Sequence, residues 1–357
     1  MISYSINDLK KVLDTFPRKE LILLPSPLKK MKGLTNFLEG PEIYMKRDDL
    51  TGLAFGGNKS RKLEFIIADI LDKKADTVIT WASLQSNWCL QTAAAVRIFG
   101  IKPILILFDT GDIPFEFDGN LLLDFILEAD IRTKEADKGK VVKQDYVDEI
   151  LNEVKEEVIK QGNSPYIAPI GGSMTGGSMD QPLGAIAYTQ AFLEILEQMN
   201  EWGEKPDYIV HATGSGGTQA GLVVGAKAVL PETRILGISV SDKKEEFSPE
   251  VKTIAKDTVN ALGLDMVLKE SDILVFDQYI GDGYGIINQP VAEAIRLTAK
   301  KEGIFLDPVY TGKAMVGLLD LIRKGYFSSK DKIVFLHTGG TAVLFPYKHQ
   351  LKDLLTN

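Results

Sequence analysis

Strand-length and helix-length segments alternate almost from one end of this 357-residue chain to the other. Runs of β-branched and apolar residues predict strands at 75–82, 102–108, 131–134, 166–169, 207–213, 234–240, 273–276 and 332–337. Apolar residues at helical spacing predict helices at 60–74, 87–99, 121–129, 143–161, 183–199, 222–229, 290–301 and 313–324. This rhythm points to an α/β fold of mainly parallel sheets covered by helices on both faces. The length suggests two lobes, with 201–206 as a plausible hinge. Such folds bind ligands beyond the carboxyl ends of their strands.

Two segments at such ends carry chemistry. The strand ending at Thr213 runs into Gly214, Ser215, Gly216, Gly217 and Thr218, then into an apolar helix. A strand, a glycine loop and a helix present backbone N–H groups to a phosphate. The loop holds no lysine or arginine, so an amide-held monophosphate fits better than a triphosphate with magnesium. The plain alternative is a tight turn with glycines used for shape. The second segment is Gly56, Gly57, Asn58 and Lys59, opening an amphipathic helix. An ammonium at a helix N-terminus is pushed toward the neutral amine that attacks carbonyls. Here the plain alternatives are a surface lysine and an Asn58 that caps the helix. Gln219 breaks the dinucleotide fingerprint, and Asn58 interrupts a P-loop. One phosphate plus one lysine is the demand of pyridoxal phosphate.

Six motifs in order strengthen that reading: 46–51, 56–64, 85–87, 214–218, 306–313 and 337–340. Together they resemble the D-cysteine desulfhydrase and 1-aminocyclopropane-1-carboxylate deaminase group of fold type II, tryptophan synthase β-like, pyridoxal phosphate enzymes. The resemblance implies a large cofactor-binding lobe (1–59 and 181–357), a smaller inserted lobe (60–180) and a cofactor in the cleft between them. It makes Lys59 the Schiff-base lysine and base at Cα, and Asn58 the partner of the cofactor's phenolic oxygen. Residues 213–218 become the phosphate site, and Thr338 faces the pyridine nitrogen. Gln85, Ser86, Asn87 and Trp88 become the substrate site, and Tyr284 and Tyr310 flank the substrate. The implied reaction is β-elimination from a small amino acid such as D-cysteine. Deaminase or racemase activity, or cofactor binding without turnover, are the alternatives.

The chain departs from the family pattern in several places. Trp88 stands where a histidine is usual, and Leu84 where a small residue is usual. Thr311 follows Tyr310 where the cyclopropane deaminases are expected to carry glutamate. The segment 171–181 is rich in methionine, and Met174 and Met179 are candidates for lining the pocket, although filling gaps is the plainer use.

A net charge of −8 and the lack of basic runs argue against nucleic acid and anionic membrane as main partners. The longest apolar runs are strand-length, and the N-terminus lacks a signal-peptide core, so a cytoplasmic location is expected. One cysteine excludes an internal disulfide, and three scattered histidines disfavour a metal site. A homodimer is expected from the resemblance alone.

Overall fold

The computed structural model describes residues 4–111, 113–136, 142 and 144–356. Ten strands are described: β1 (Leu28–Lys30), β2 (Glu42–Arg47), β3 (Thr77–Ser83), β4 (Lys102–Asp109), β5 (Asp130–Glu135), β6 (Pro165–Ile167), β7 (Tyr208–Thr213), β8 (Arg234–Ser239), β9 (Leu274–Phe276) and β10 (Lys332–His337). They form a six-stranded sheet ordered β1-β2-β10-β7-β8-β9 and a four-stranded sheet ordered β5-β4-β3-β6. Every pairing is parallel except β1 with β2.

Around the sheets lie α1 (Ile6–Leu13), α2 (Lys32–Leu38), α3 (Asn58–Asp72), α4 (Asn87–Ile98), α5 (Gly119–Ile126), α6 (Gln144–Lys160), α7 (Leu183–Asn200), α8 (Gly217–Val229), α9 (Lys244–Ala261), α10 (Gln289–Glu302), α11 (Thr311–Arg323) and α12 (Lys348–Thr356). The expected α/β class is therefore observed. Both sheets are covered on both faces. Ile79, Trp81, Ile104 and Ile106 share a cluster with Val147, Ile150 and Val154 of α6. Their neighbours Val78, Leu105 and Leu107 turn to the main core with α3 and α4. In the larger sheet Gly237 lies against Gln219 of α8, while Ile238 packs on Gly317 of α11. Strands buried on both faces read as unbroken apolar runs, which is why 104–108 was so plain.

Several expectations need correction. The first catalytic-segment helix, α3, begins at Asn58 rather than at 60, and α8 begins at Gly217 rather than at 222. The expected helix start at Lys143 lies outside the described residues. The sequence reading placed no element over 244–261, where the structure has α9 with Pro249 inside it. Its Phe247, Val251, Ile254, Ala255 and Val259 form a buried stripe that carries the helix despite the proline.

A buried ionic network anchors α3. Arg61 donates to both oxygens of Asp48 (2.9 and 2.8 Å) and both of Glu194 (3.1 and 2.8 Å). Lys46 donates to Glu194, Gln198 and the Ser26 carbonyl. Tyr188 donates to Asp48 at 2.6 Å. Burial alone would push the Asp48 carboxyl up, but Arg61 holds it below its ordinary value. With two cations set against two carboxylates, the start of α3 has a fixed position relative to β2 and α7.

Candidate functional site

Lys59 stands in the first turn of α3, behind a glycine cap. Gly57 has φ +138, and a Cβ there would lie 2.7 Å from Gln91 Nε2 and 2.9 Å from the Thr338 carbonyl. Only glycine fits that crossing, where Gly57 also bridges Gly339. Because Gly57 is the cap residue, Asn58 is not one, and the capping alternative fails. Asn58 instead joins three elements. Its backbone N–H donates to the Thr338 carbonyl at 3.0 Å, its Nδ2 donates to Thr218 Oγ1 at 3.0 Å, and its Oδ1 accepts from Lys59 Nζ at 3.0 Å. Burial lowers the Lys59 amine to about 8, with Asp307 opposing the shift.

The glycine loop faces the same spot. α8 starts at Gly217 with no side-chain cap. Its first-turn amides at Thr218 and Gln219 are of the kind a helix cannot satisfy itself. Thr213 Oγ1, at the end of β7, is buried with no hydrogen-bond partner. A Cβ on Gly217 would lie 2.7 Å from Ser173, so glycine lets a second loop, 171–173, press against the first. Ser173 Oγ and Ser215 Oγ are 2.8 Å apart.

Lys62, missed in the sequence, joins them. It donates to the Gly171 carbonyl at 2.9 Å and to Ser173 Oγ at 3.2 Å. It is fully buried, has no carboxylate within ion-pair distance among the described residues, and burial lowers its amine far below the ordinary value. Its signal was the i, i+3 spacing from Lys59, which puts both amines on one helix face. The loop has no basic side chain of its own, but α3 brings it an amine that a bound anion would protonate.

The opposite wall comes from β3, α4 and α11. Ser86 caps α4, its Oγ accepting from the Cys89 N–H at 3.1 Å. Cys89, the sole cysteine, is buried, and burial pushes its thiol up with Asp124 adding to the shift. Asn87 is partly exposed, with Nδ2 toward Gly340. Tyr284 and Tyr310 donate one to the other, and Tyr284 also meets Ser83 at 3.0 Å. Burial raises both phenols, so both remain protonated at neutral pH. Ser83 had not been singled out. Thr311 exchanges hydrogen bonds with Asp307: its hydroxyl donates to the carboxylate at 2.6 Å and accepts from the Asp307 N–H at 2.8 Å.

Two predicted substrate residues prove to be differently employed. Both amide hydrogens of Gln85 go to the carbonyls of Glu116 and Asp118, and its Oε1 accepts from Asn120 and Leu121. Its side chain is therefore spent on the start of α5. Trp88 is buried, donates its indole N–H to Thr80 at 2.7 Å and lies against Gly172, so it forms wall rather than ligand surface. Met179 is likewise buried in the core, while Met174 is partly buried against it.

Comparison with known proteins follows the same lines. The family model described as pyridoxal-phosphate dependent enzyme matches residues 20–339. A Pyrococcus furiosus protein with the provisional name 1-aminocyclopropane-1-carboxylate deaminase is 41% identical over 97% of this chain and 98% of its own. The D-cysteine desulfhydrase of Serratia proteamaculans is 39% identical over 96% of this chain and 100% of its own. A solved structure of an ACC deaminase homologue superposes with a TM-score of 0.85 at 37% identity, covering 97% and 98% of the two chains.

Proposed function

This chain belongs to the pyridoxal-phosphate-dependent enzyme family, and on that premise we propose that it is a lyase removing a β-substituent from a small amino acid. D-cysteine is the leading substrate, giving pyruvate, ammonia and sulfide. The relatives named D-cysteine desulfhydrase, about 40% identical over nearly the full chain, support this choice. One observation carries it: a partly buried amine lowered to about 8 lies one hydrogen-bonded residue, Asn58, away from the first turn of α8.

The site fits the cofactor. Lys59 would hold the aldehyde carbon, and Asn58 the phenolic oxygen. The phosphate would take the amides of 214–218, the unpartnered Thr213 hydroxyl, Ser215 and Lys62, whose amine would regain its proton beside an anion. When bound, the cofactor draws electrons from Cα and makes its proton acidic. Thr338, a neutral hydroxyl, would face the ring nitrogen without holding it protonated, which favours expulsion of a β-leaving group over storage of charge on the ring.

The protein's groups then divide the work. Ser86, Asn87 and the amides at the start of α4 grip the substrate carboxylate. The Lys59 amine takes the Cα proton; lowered to about 8, its neutral form is available near neutral pH. The protonated Tyr284–Tyr310 pair stands ready to give a proton to the departing thiolate, with Ser83 behind it. A deaminase is the second reading, favoured by the name of the Pyrococcus relative. Against it stands Thr311, whose hydroxyl is tied to Asp307 where a glutamate would be needed. Assembly as a homodimer and a cytoplasmic location complete the proposal, to be checked by sedimentation and cell fractionation.

Purified enzyme should show the visible absorbance of lysine-bound pyridoxal phosphate and release sulfide and pyruvate from D-cysteine. Lys59→Ala should abolish that absorbance and slow turnover by at least about a thousandfold. Pyruvate from other β-substituted amino acids, with none from D-cysteine, would keep the class and remove the substrate. Turnover of 1-aminocyclopropane-1-carboxylate would favour the deaminase. A colourless protein that takes up no cofactor would end the proposal.

A further inference from the structure

The amide of Asn87 has two ends, and only one suits an anion: the nitrogen donates, the oxygen repels. Which end meets the cleft is decided one layer deeper. Asn120, fully buried at the start of α5, places its Nδ2 2.8 Å from the backbone oxygen of Gln85 and 2.8 Å from Oδ1 of Asn87. A main-chain carbonyl only accepts, so the Asn120 atom facing it must be nitrogen. The second hydrogen of that nitrogen needs an acceptor, so the Asn87 atom facing it must be oxygen. The Asn87 nitrogen is left on the far side, toward Gly340. Turning the Asn120 amide over would set its oxygen against the Gln85 carbonyl oxygen, and its main chain is held as well, the backbone N–H donating to Gln85 Oε1 at 2.8 Å. Gln85, with φ +59, is itself clamped by the carbonyls of Glu116 and Asp118. Asn120 thus donates in both directions, inward to a main-chain carbonyl and outward to the Asn87 amide oxygen at the cleft.

We propose that Asn120 is the positioning residue that sets the polarity of the carboxylate site, holding the Asn87 amide with its N–H groups toward the substrate. This rests on the reading of Asn87 as a carboxylate ligand. Asn120→Asp keeps the shape but removes both side-chain N–H donors. It draws the Asn87 nitrogen inward and turns its oxygen to the substrate. Asn120→Ala merely frees Asn87 to rotate. The near-isosteric change should therefore do more harm than the truncation, the reverse of what lost packing alone would give.

The test uses holoenzyme titrated with D-alanine and with D-alaninol, followed by cofactor absorbance. Neither carries a β-leaving group, and the ratio of their affinities measures carboxylate recognition. Asn120→Ala should lower that ratio about fivefold and Asn120→Asp about a hundredfold, with D-alaninol affinity unchanged. In an Asn87→Ala background either change should add less than about twofold. The inference is overturned if the aspartate variant is no worse than the alanine one. It is also overturned if the loss persists in the Asn87→Ala background, as direct charge repulsion would. Should the aspartate variant not fold, Asn120→Ala decides alone: its loss must vanish in that background. A wild-type ratio in Asn87→Ala itself would instead show that Asn87 does not hold the carboxylate, removing the underlying reading.

Discussion

Arg61 and Lys62 are neighbours on α3, both buried, and they lie in opposite electrostatic settings. Arg61 faces two carboxylates and shares one of them, Glu194, with Lys46. Lys62 faces a carbonyl, a hydroxyl and the ring of Tyr188, with no carboxylate within ion-pair distance among the described residues. Burying a charge costs several kcal/mol unless it is compensated. The Arg61 side of the helix is complete in the protein alone. The Lys62 side becomes complete with an anion. One face of α3 is therefore devoted to holding the fold, the other to holding a ligand, and the two should respond to mutation with different signs.

The largest expected effect lies on the complete side. Asp48→Ala strips Arg61 of its bidentate partner and should lower the unfolding free energy by about 3–5 kcal/mol, measured by denaturant titration of the apoprotein. A loss under about 1 kcal/mol would mean that the network is not tightly coupled. The second effect concerns pH on the ligand side. His211, buried on β7, is lowered to about 4 by burial. An unfolded histidine protonates near 6.5, so between about 6.5 and 4 the unfolded state binds more protons than the native one. Stability should then fall as the pH drops through that window, by up to about 3 kcal/mol, and His211→Asn should flatten the slope. The smallest effect has the opposite sign in its two readouts. Lys62→Met should leave apoprotein stability equal or higher, yet raise the dissociation constant for pyridoxal phosphate about tenfold to a hundredfold. If it destabilises the apoprotein as Asp48→Ala does, the contrast between the two faces is lost.

What could be read in advance depended on how local its cause was. Parallel strands such as β4 are legible because burial on both faces leaves an uninterrupted apolar run. The segments around Lys59 and 214–218 are legible because their chemistry belongs to a helix start and a turn, each made by consecutive residues. Gln85 misled because the partners that occupy its amide lie 31 to 36 positions away. Lys62 stayed hidden for the same reason, its acceptors being 109 and 111 positions distant. α9 was obscured by Pro249, a local signal that the buried stripe outweighs.

The chain's one sulfur nucleophile, Cys89, is shut between Ser86 and the body of the fold with its thiol kept protonated. The folded wild-type chain should therefore resist thiol reagents. A single cysteine introduced on the rim of the four-stranded sheet would then be the one accessible thiol and would take one fluorophore per molecule.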